Sequence, residues 1–304
     1  MIAPASLEDR FAGCLLGLAL GDACGAPYEG GPLERALWAL LRLWTRQPLR
    51  WTDDTQMALG LAESLLEGQG FDPGRAAARW AREARWSRGY GSGTWRILSR
   101  IRQGEDRRAA SKAVFPEGSF GNGAAMRSAP LGLYFHRMPD ELARAAAEAS
   151  AITHAHPLGV EGGVLMARAA ALALADFFEP YGFLAALAEG CREAEFLRRL
   201  AWARAALERA SGPREVREAL GSGVKAQESV VTALYCFCRF SGDFDGMLAF
   251  IRSLKGDVDT IGAMAGALFG AKNGLGALPA PLLGKLEERA RIEGVGRALY
   301  AARR

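Results

Sequence analysis

Two short acidic clusters stand out for the chemistry their side chains could share. The first is Trp51-Thr52-Asp53-Asp54-Thr55 and the second is Gly256-Asp257-Val258-Asp259-Thr260. Each stands directly before an Ala/Leu-rich helical run. An acid at a helix start accepts hydrogen bonds from exposed N–H groups and complements the helix dipole. One acid is enough for that purpose, whereas adjacent Asp53 and Asp54 set like charges side by side, a cost that a bound cation would offset. Thr52, Asp53, Asp54, Asp257, Asp259 and Thr260 offer carboxylate and hydroxyl oxygens with no His or Cys beside them, a donor set suited to Mg²⁺ or Mn²⁺ rather than zinc. Six such donors in two groups could hold a pair of ions about 3.5–4 Å apart. On spacing alone, metal binding and helix capping both stand.

Other candidates surround these clusters in sequence. Glu29 closes Gly-Asp-Ala-Cys-Gly-Ala-Pro-Tyr-Glu (21–29), where a Gly/Pro-bent turn either aims a general base at a cleft or leaves an acid in solvent. Gly-Ser-Phe-Gly-Asn-Gly-Ala-Ala-Met-Arg (118–127) is a glycine loop entering a helix. Its backbone N–H groups suit an anion such as phosphate, although Asn-Gly is also ordinary turn chemistry. Arg88-Gly-Tyr-Gly-Ser-Gly-Thr94 reads as a lid or as a linker between helices. His154 and His156, two of the three histidines, have no local acid or third His to complete a zinc site, and ligand hydrogen bonding or helix capping is expected of them. His136 has no visible partner.

Helices must position all of these. Apolar residues recur at three- and four-residue spacing over 7–21, 54–67, 73–85, 139–151, 158–177, 183–190, 193–210, 228–240, 246–254, 260–271 and 281–301. Asp72-Pro73 reads as an N-cap followed by proline at the first helical position, and Asp53 with Gln56 as a capping box. No stretch alternates like a strand, no linker divides the chain and no repeat period is visible, so residues 1–304 read as one compact all-α domain. Gly13, Gly17, Gly21 and Gly25 form a stripe at four-residue spacing, and Gly262, Gly266, Gly270 and Gly274 form another. Glycine inside a helix costs on the order of 1 kcal/mol relative to Ala, and close approach of another backbone is a compensating reason. The two stripes are therefore expected to pack together and to bring the polar ends of their helices into one place.

Composition sets the outer bounds. Half of the 304 residues are hydrophobic and the formal net charge is +4, values of an ordinary soluble globular chain. The basic side is lopsided, with Lys only at 112, 225, 255, 272 and 285 among 38 basic residues. The arginines, such as Arg75, Arg79, Arg82 and Arg85, are scattered along helices as on a solvated face, and no dedicated nucleic-acid-binding surface is evident. No uninterrupted apolar run approaches twenty residues, so no membrane association is expected. The start, Met-Ile-Ala-Pro-Ala-Ser-Leu-Glu-Asp-Arg, lacks the pattern of an export signal, and the five cysteines read as buried reduced thiols, which together point to the cytoplasm.

Six stretches occur together and in order: Gly13–Glu29, Trp51–Met57, Arg88–Thr94, Gly118–Arg127, Thr153-His-Ala-His-Pro157 and Gly256–Ala271. As a set they resemble the ADP-ribosylglycohydrolase family, which includes ADP-ribosyl-acceptor hydrolases and the dinitrogenase reductase-activating glycohydrolase. The resemblance covers roughly residues 8 to 275. It implies a single compact orthogonal helical domain with a binuclear metal site, in which Thr52, Asp53, Asp54, Asp257, Asp259 and Thr260 hold two Mg²⁺ or Mn²⁺ ions. It implies hydrolysis of the glycosidic bond at C1″ of ADP-ribose, removing ADP-ribosyl groups from a protein, small-molecule or nucleic-acid acceptor, with Glu29, Asp54 or Asp259 as the group that deprotonates water. Ser119, Phe120, Gly121 and Asn122 fall on the loop for the diphosphate and flanking ribose, His154 on a ligand-side histidine, and Gly89, Tyr90 and Gly91 on the loop over the distal ribose. Phe120 stands where some relatives have Tyr, so stacking on adenine survives without a phenolic hydrogen bond. Phe115 is expected as a second adenine neighbour, and Lys255 adds a cation near the acidic cluster. Two other readings follow from the same motifs: a non-catalytic ADP-ribose binder or structural relative of the lens crystallin kind, and a binuclear phosphoesterase acting on a nucleotide.

Overall fold

The computed structural model describes residues 5–28 and 49–303. Its described elements are helices: α1 (Leu7–Gly25), α2 (Asp53–Gly68), α3 (Pro73–Glu83), α4 (Ser92–Arg102), α5 (Arg107–Val114), α6 (Ala129–Tyr134), α7 (Pro139–Ala151), α8 (Pro157–Ala173), α9 (Pro180–Glu189), α10 (Ala194–Arg209), α11 (Pro213–Leu220), α12 (Ala226–Arg239), α13 (Phe244–Leu254), α14 (Val258–Asn273), α15 (Ala280–Leu283) and α16 (Arg289–Ala302). Among the described residues the β-pairs are isolated bridges, Leu49 with Leu286 and Gly121 with Lys225, and no strand forms. Proline at the first helical position starts α3, α7, α8, α9 and α11, where its fixed φ is already helical and its missing N–H is not needed.

The molecule is built around one pair of helices. α1 and α14 run antiparallel, and their glycine stripes face each other rung by rung. A methyl on Gly17 would fall on the backbone of Gly266, one on Gly21 on that of Gly262, and one on Gly270 on that of Gly13. At the far rung, a Cβ on Gly25 would lie 2.6 Å from the backbone N of Asp259. The seam therefore compensates the intrinsic cost of its glycines by packing backbone on backbone. By length and composition α1 could cross a membrane, yet 89% of its apolar window is buried inside the molecule, so it is the central helix of the core. Arg10, itself buried, closes the other end by donating to the carbonyls of Ala271, Ala173 and Ala175 at 2.8, 2.8 and 2.9 Å.

Four helices carry too little apolar periodicity to be read from sequence. α4, α5, α6 and α11 have between six and eleven residues, and in α4 and α11 only two side chains each are buried. The expected run 281–301 is two helices, α15 and α16. Between them the chain turns at Glu288, which adopts φ +53°, while Leu49 N–H donates to Lys285 O (3.2 Å) and Glu287 N–H to Leu49 O (3.0 Å). The capping box expected at Asp53 and Gln56 is not made: Thr52 caps α2, accepting from Asp54 N–H. Arg79 is also not solvated. It is 8% exposed and surrounded by Glu63, Glu67 and Glu83, a buried cation matched by three acids. No cysteine is in a disulfide, and all but Cys191 are buried.

Candidate active site

The seam ends where α1 finishes and α14 begins, and α2 starts beside it. Asp22, on the last full turn of α1, is completely buried. Its carboxylate accepts from Thr52 N–H (2.9 and 3.0 Å), Thr55 N–H (3.1 Å) and the Thr55 hydroxyl (2.5 Å). Burial raises its pKa to about 6, and those hydrogen bonds pull against the rise. One side chain of α1 thus fixes the first turn of α2, while the glycines of α1 fix the first turn of α14. The two acidic clusters are brought to a common end of the core by the same helix.

Five of the six expected metal-ligand positions are buried there: Thr52, Asp54, Asp257, Asp259 and Thr260 are 2–5% exposed, and Asp53 is half-buried. Asp257 is the N-cap residue of α14 and Asp259 Oδ1 accepts from Thr260 N–H at 2.8 Å. Asn122 Nδ2 donates to Asp257 Oδ2 (2.5 Å) and to Ser229 Oγ (2.9 Å), which orients this carboxylate from the glycine loop. The donors are carboxylates and hydroxyls withdrawn from water, an arrangement that is costly without a cation and that matches a hard divalent ion. Among the described residues no three Asp, Glu, His or Cys side chains are gathered closely enough to hold an ion on their own. Glu29 lies outside the described residues.

The glycine loop is pinned rather than loose. Asn122 N–H donates to Val224 O and Ala226 N–H to Phe120 O, both at 2.9 Å. Gly121 N–H turns back onto Ser119 Oγ (3.2 Å). The same connecting segment before α12 offers Ser222 O to Asp257 N–H at 2.8 Å, and a Cβ on Gly256, which adopts φ +86°, would collide with Ser222. Residues 222–226 therefore tie loop 119–122 to the start of α14. Asp22, Ser222 and Ser229 are the positioning residues that sequence reasoning did not single out. Their roles depend on partners 30 to 107 positions away, and the one local signal was the acid inside an otherwise apolar glycine helix.

The histidines divide the two expected tasks. His156 caps α8, accepting from Leu158 N–H at 3.1 Å. His154 is 5% exposed and lies under the glycine loop, where a Cβ on Gly123 would stand 2.9 Å from its Nε2. Burial first, and the nearby Arg127 second, drive the His154 pKa down to about 3. Phe120 is 44% exposed and meets His156 edge-on with centroids 5.5 Å apart. Phe115 packs its ring on Gly93, joining the start of α4 to the glycine loop.

The 88–94 segment is anchored to α2. Gly89 adopts φ +91°, Gly91 caps α4, and Tyr90 between them is buried with its hydroxyl donating to Gln56 Oε1 at 3.0 Å. Burial, with the nearby Asp53 charge, pushes the Tyr90 phenol up. Arg88 lies 3.4 Å over the Trp51 ring, donates to Trp51 O (2.8 Å) and forms a two-pronged pair with Glu287 (2.7 and 3.0 Å). This loop is bolted to the residue that precedes Thr52. Lys255, at φ +60°, is exposed.

The all-α core that carries these residues is matched by known proteins over nearly its whole length. The sequence model of the family described as ADP-ribosylglycohydrolase matches residues 3–304. The chain is 33% identical to the ADP-ribosylhydrolase ARH3 of Danio rerio, over all of this chain and 92% of that protein. It is 34% identical to the ADP-ribosylhydrolase ARH3 of Homo sapiens, over 89% of this chain and 87% of that one. A solved structure titled ADP-ribosylglycohydrolase-related protein complex superposes with a TM-score of 0.76 at 32% identity, covering 97% of this chain and 98% of the other. The chain belongs to the ADP-ribosylglycohydrolase family.

Proposed function

We propose that this chain hydrolyses the glycosidic bond at C1″ of an ADP-ribosyl group attached to a protein, small-molecule or nucleic-acid acceptor. The observation that carries the reading is the junction of Thr52–Asp54 with Asp257–Thr260 around the end of α1, beside a loop fixed at Ser119–Asn122. Thr52, Asp53, Asp54, Asp257, Asp259 and Thr260 would hold two Mg²⁺ or Mn²⁺ ions, which when bound would supply Lewis-acid charge for the distal ribose and the hydrolytic water.

The residues of the chain do the rest. Asp54, Asp259 or Glu29 takes the proton from water as C1″ gains oxocarbenium character. Buried carboxylates at the head of two helices also stabilise that developing positive charge. The diphosphate lies along the glycine loop. Because Gly121 and Asn122 spend their N–H groups inside the protein, other N–H groups of this loop take the phosphate oxygens. Exposed Phe120 offers its face to adenine. Gly89, Tyr90 and Gly91 flank the distal ribose, with Tyr90 held in place by Gln56.

The decisive assay is release of free ADP-ribose from a modified protein in the presence of Mg²⁺, with the release lost in Asp259→Ala. Absence of release from every one of Arg-, Ser- and nucleic-acid-linked ADP-ribose and from O-acetyl-ADP-ribose would refute the proposal.

A further inference from the structure

Arg127 is 1% exposed, and among the described residues no carboxylate forms an ion pair with it. Its guanidinium lies 4.0 Å over the Trp80 ring. It donates to Ala149 O at 3.1 Å, to Met57 Sδ at 3.5 Å and to Thr153 Oγ1 at 2.8 Å. Thr153 is completely buried, and its Oγ1 stands 2.7 Å from His154 Nδ1. A guanidinium can only donate, so the Thr153 oxygen accepts from Arg127 and keeps its own proton to give away. The acceptor within reach is His154 Nδ1. The reverse polarity, with Nδ1–H donating to Thr153, would strand the buried hydroxyl proton without an acceptor.

We infer that Arg127 and Thr153 are positioning residues that hold His154 as the Nε2–H tautomer, so that the ring presents a neutral donor to an acceptor oxygen of the ligand. His154 Nε2 makes no hydrogen bond to any described residue, although the side chain is 95% buried. It lies directly against the glycine loop: a Cβ on Gly123 would stand 2.9 Å from this nitrogen and displace the ring, and one on Gly121 would stand 3.3 Å away. The adjacent guanidinium and burial both oppose a second ring proton, and they hold the pKa near 3, so the donor is not a cation. A neutral N–H suits a phosphate or ribose oxygen beside the acidic clusters, where an imidazolium would compete with bound cations. The relay also runs back to Met57, one turn past Asp54, and so couples the α2 end of the site to the ring.

The identity of the ligand rests on the ADP-ribose reading above; the tautomer does not. With only three histidines in the chain, ¹⁵N-histidine NMR resolves it, the His154 signals being assigned by their disappearance in His154→Asn. The expected pattern is Nε2–H with an unprotonated Nδ1, unchanged between about pH 5 and 8. Thr153→Val should give a mixture of tautomers and roughly tenfold weaker ADP-ribose binding by calorimetry, the scale of one lost hydrogen bond. Thr153→Ser should restore both. Thermal melting of each variant separates this outcome from misfolding, which would not be rescued selectively in the ring signals. An Nδ1–H pattern in the wild-type protein, or an unchanged pattern in Thr153→Val, overturns the inference. The expected tautomer together with no ADP-ribose binding upholds the relay and removes the functional reading instead.

Discussion

Asp22 is buried for a reason that a pairwise motif search does not reveal. Its carboxylate is the shared acceptor for two backbone N–H groups and a hydroxyl at the start of α2. Asp22→Ala should leave those donors buried without partners and cost about 3 kcal/mol, read as a lower urea midpoint with an unchanged slope. An unchanged midpoint would mean that water replaces the carboxylate. His154 supplies a pH dependence. Its folded pKa of about 3 lies below the ordinary histidine value of 6.5. The unfolded chain therefore binds a proton that the folded chain refuses, and stability is full above pH 6.5 and falls as pH drops towards 3. Asp22 works with the opposite sign, because its raised pKa favours the fold at low pH and loses that contribution as pH rises through about 6. Urea titrations from pH 4 to 7 should show a shallower acid-side loss in His154→Asn than in wild type, and parallel curves would refute the assignment.

At the scale of elements, the seam between α1 and α14 makes the sharpest forecast. Gly21→Ala and Gly17→Ala place a methyl on the opposing backbone, which has no rotamer by which to yield. Each should destabilise by more than 2 kcal/mol and lower soluble yield. Gly276→Ala meets nothing within 4 Å and should stay within about 0.5 kcal/mol of wild type. Thermal melting of the three side by side checks both halves of the claim; equal melting points would deny the close approach. This seam was legible in the sequence, because four glycines at helical spacing in an apolar run need a partner backbone. The long helices were legible for the same reason of periodicity. α4, α5 and α11 were not, since two buried residues each leave no period to detect, and α6, buried throughout its six residues, is too short to show one. The acidic clusters were readable as helix starts, whereas Asp22, Ser222 and Ser229 take their meaning from tertiary partners, and Thr52 displaced Asp53 as the cap because its hydroxyl faces Asp54 N–H.

The whole molecule brings its proposed cation donors from two ends of the chain, residues 52–54 and 257–260. A cation held by both would bind the folded protein and not the unfolded one. Saturating Mg²⁺ at about 100-fold over its dissociation constant should then add about 2.7 kcal/mol and raise the melting temperature by several degrees. Asp257→Ala should abolish that shift while Glu117→Ala, at an exposed position outside both clusters, keeps it. A shift of equal size in Asp257→Ala would move the cation elsewhere. The arginine-rich composition contributes to this architecture from inside: Arg10 ties off carbonyls at the far end of the seam, Arg79 gathers three acids and Arg88 clamps Trp51.

The glycine seam has one more consequence, for how such a protein can change over time. Where helices meet through side chains, every core substitution shifts their spacing by fractions of an ångström. α1 and α14 meet through peptide backbone, whose dimensions are the same in every sequence. The distance between the end of α1 and the start of α14 is therefore decoupled from the volume of the surrounding core. Leucines, alanines and phenylalanines around the pair are free to drift and repack, while the two acidic helix ends keep their separation.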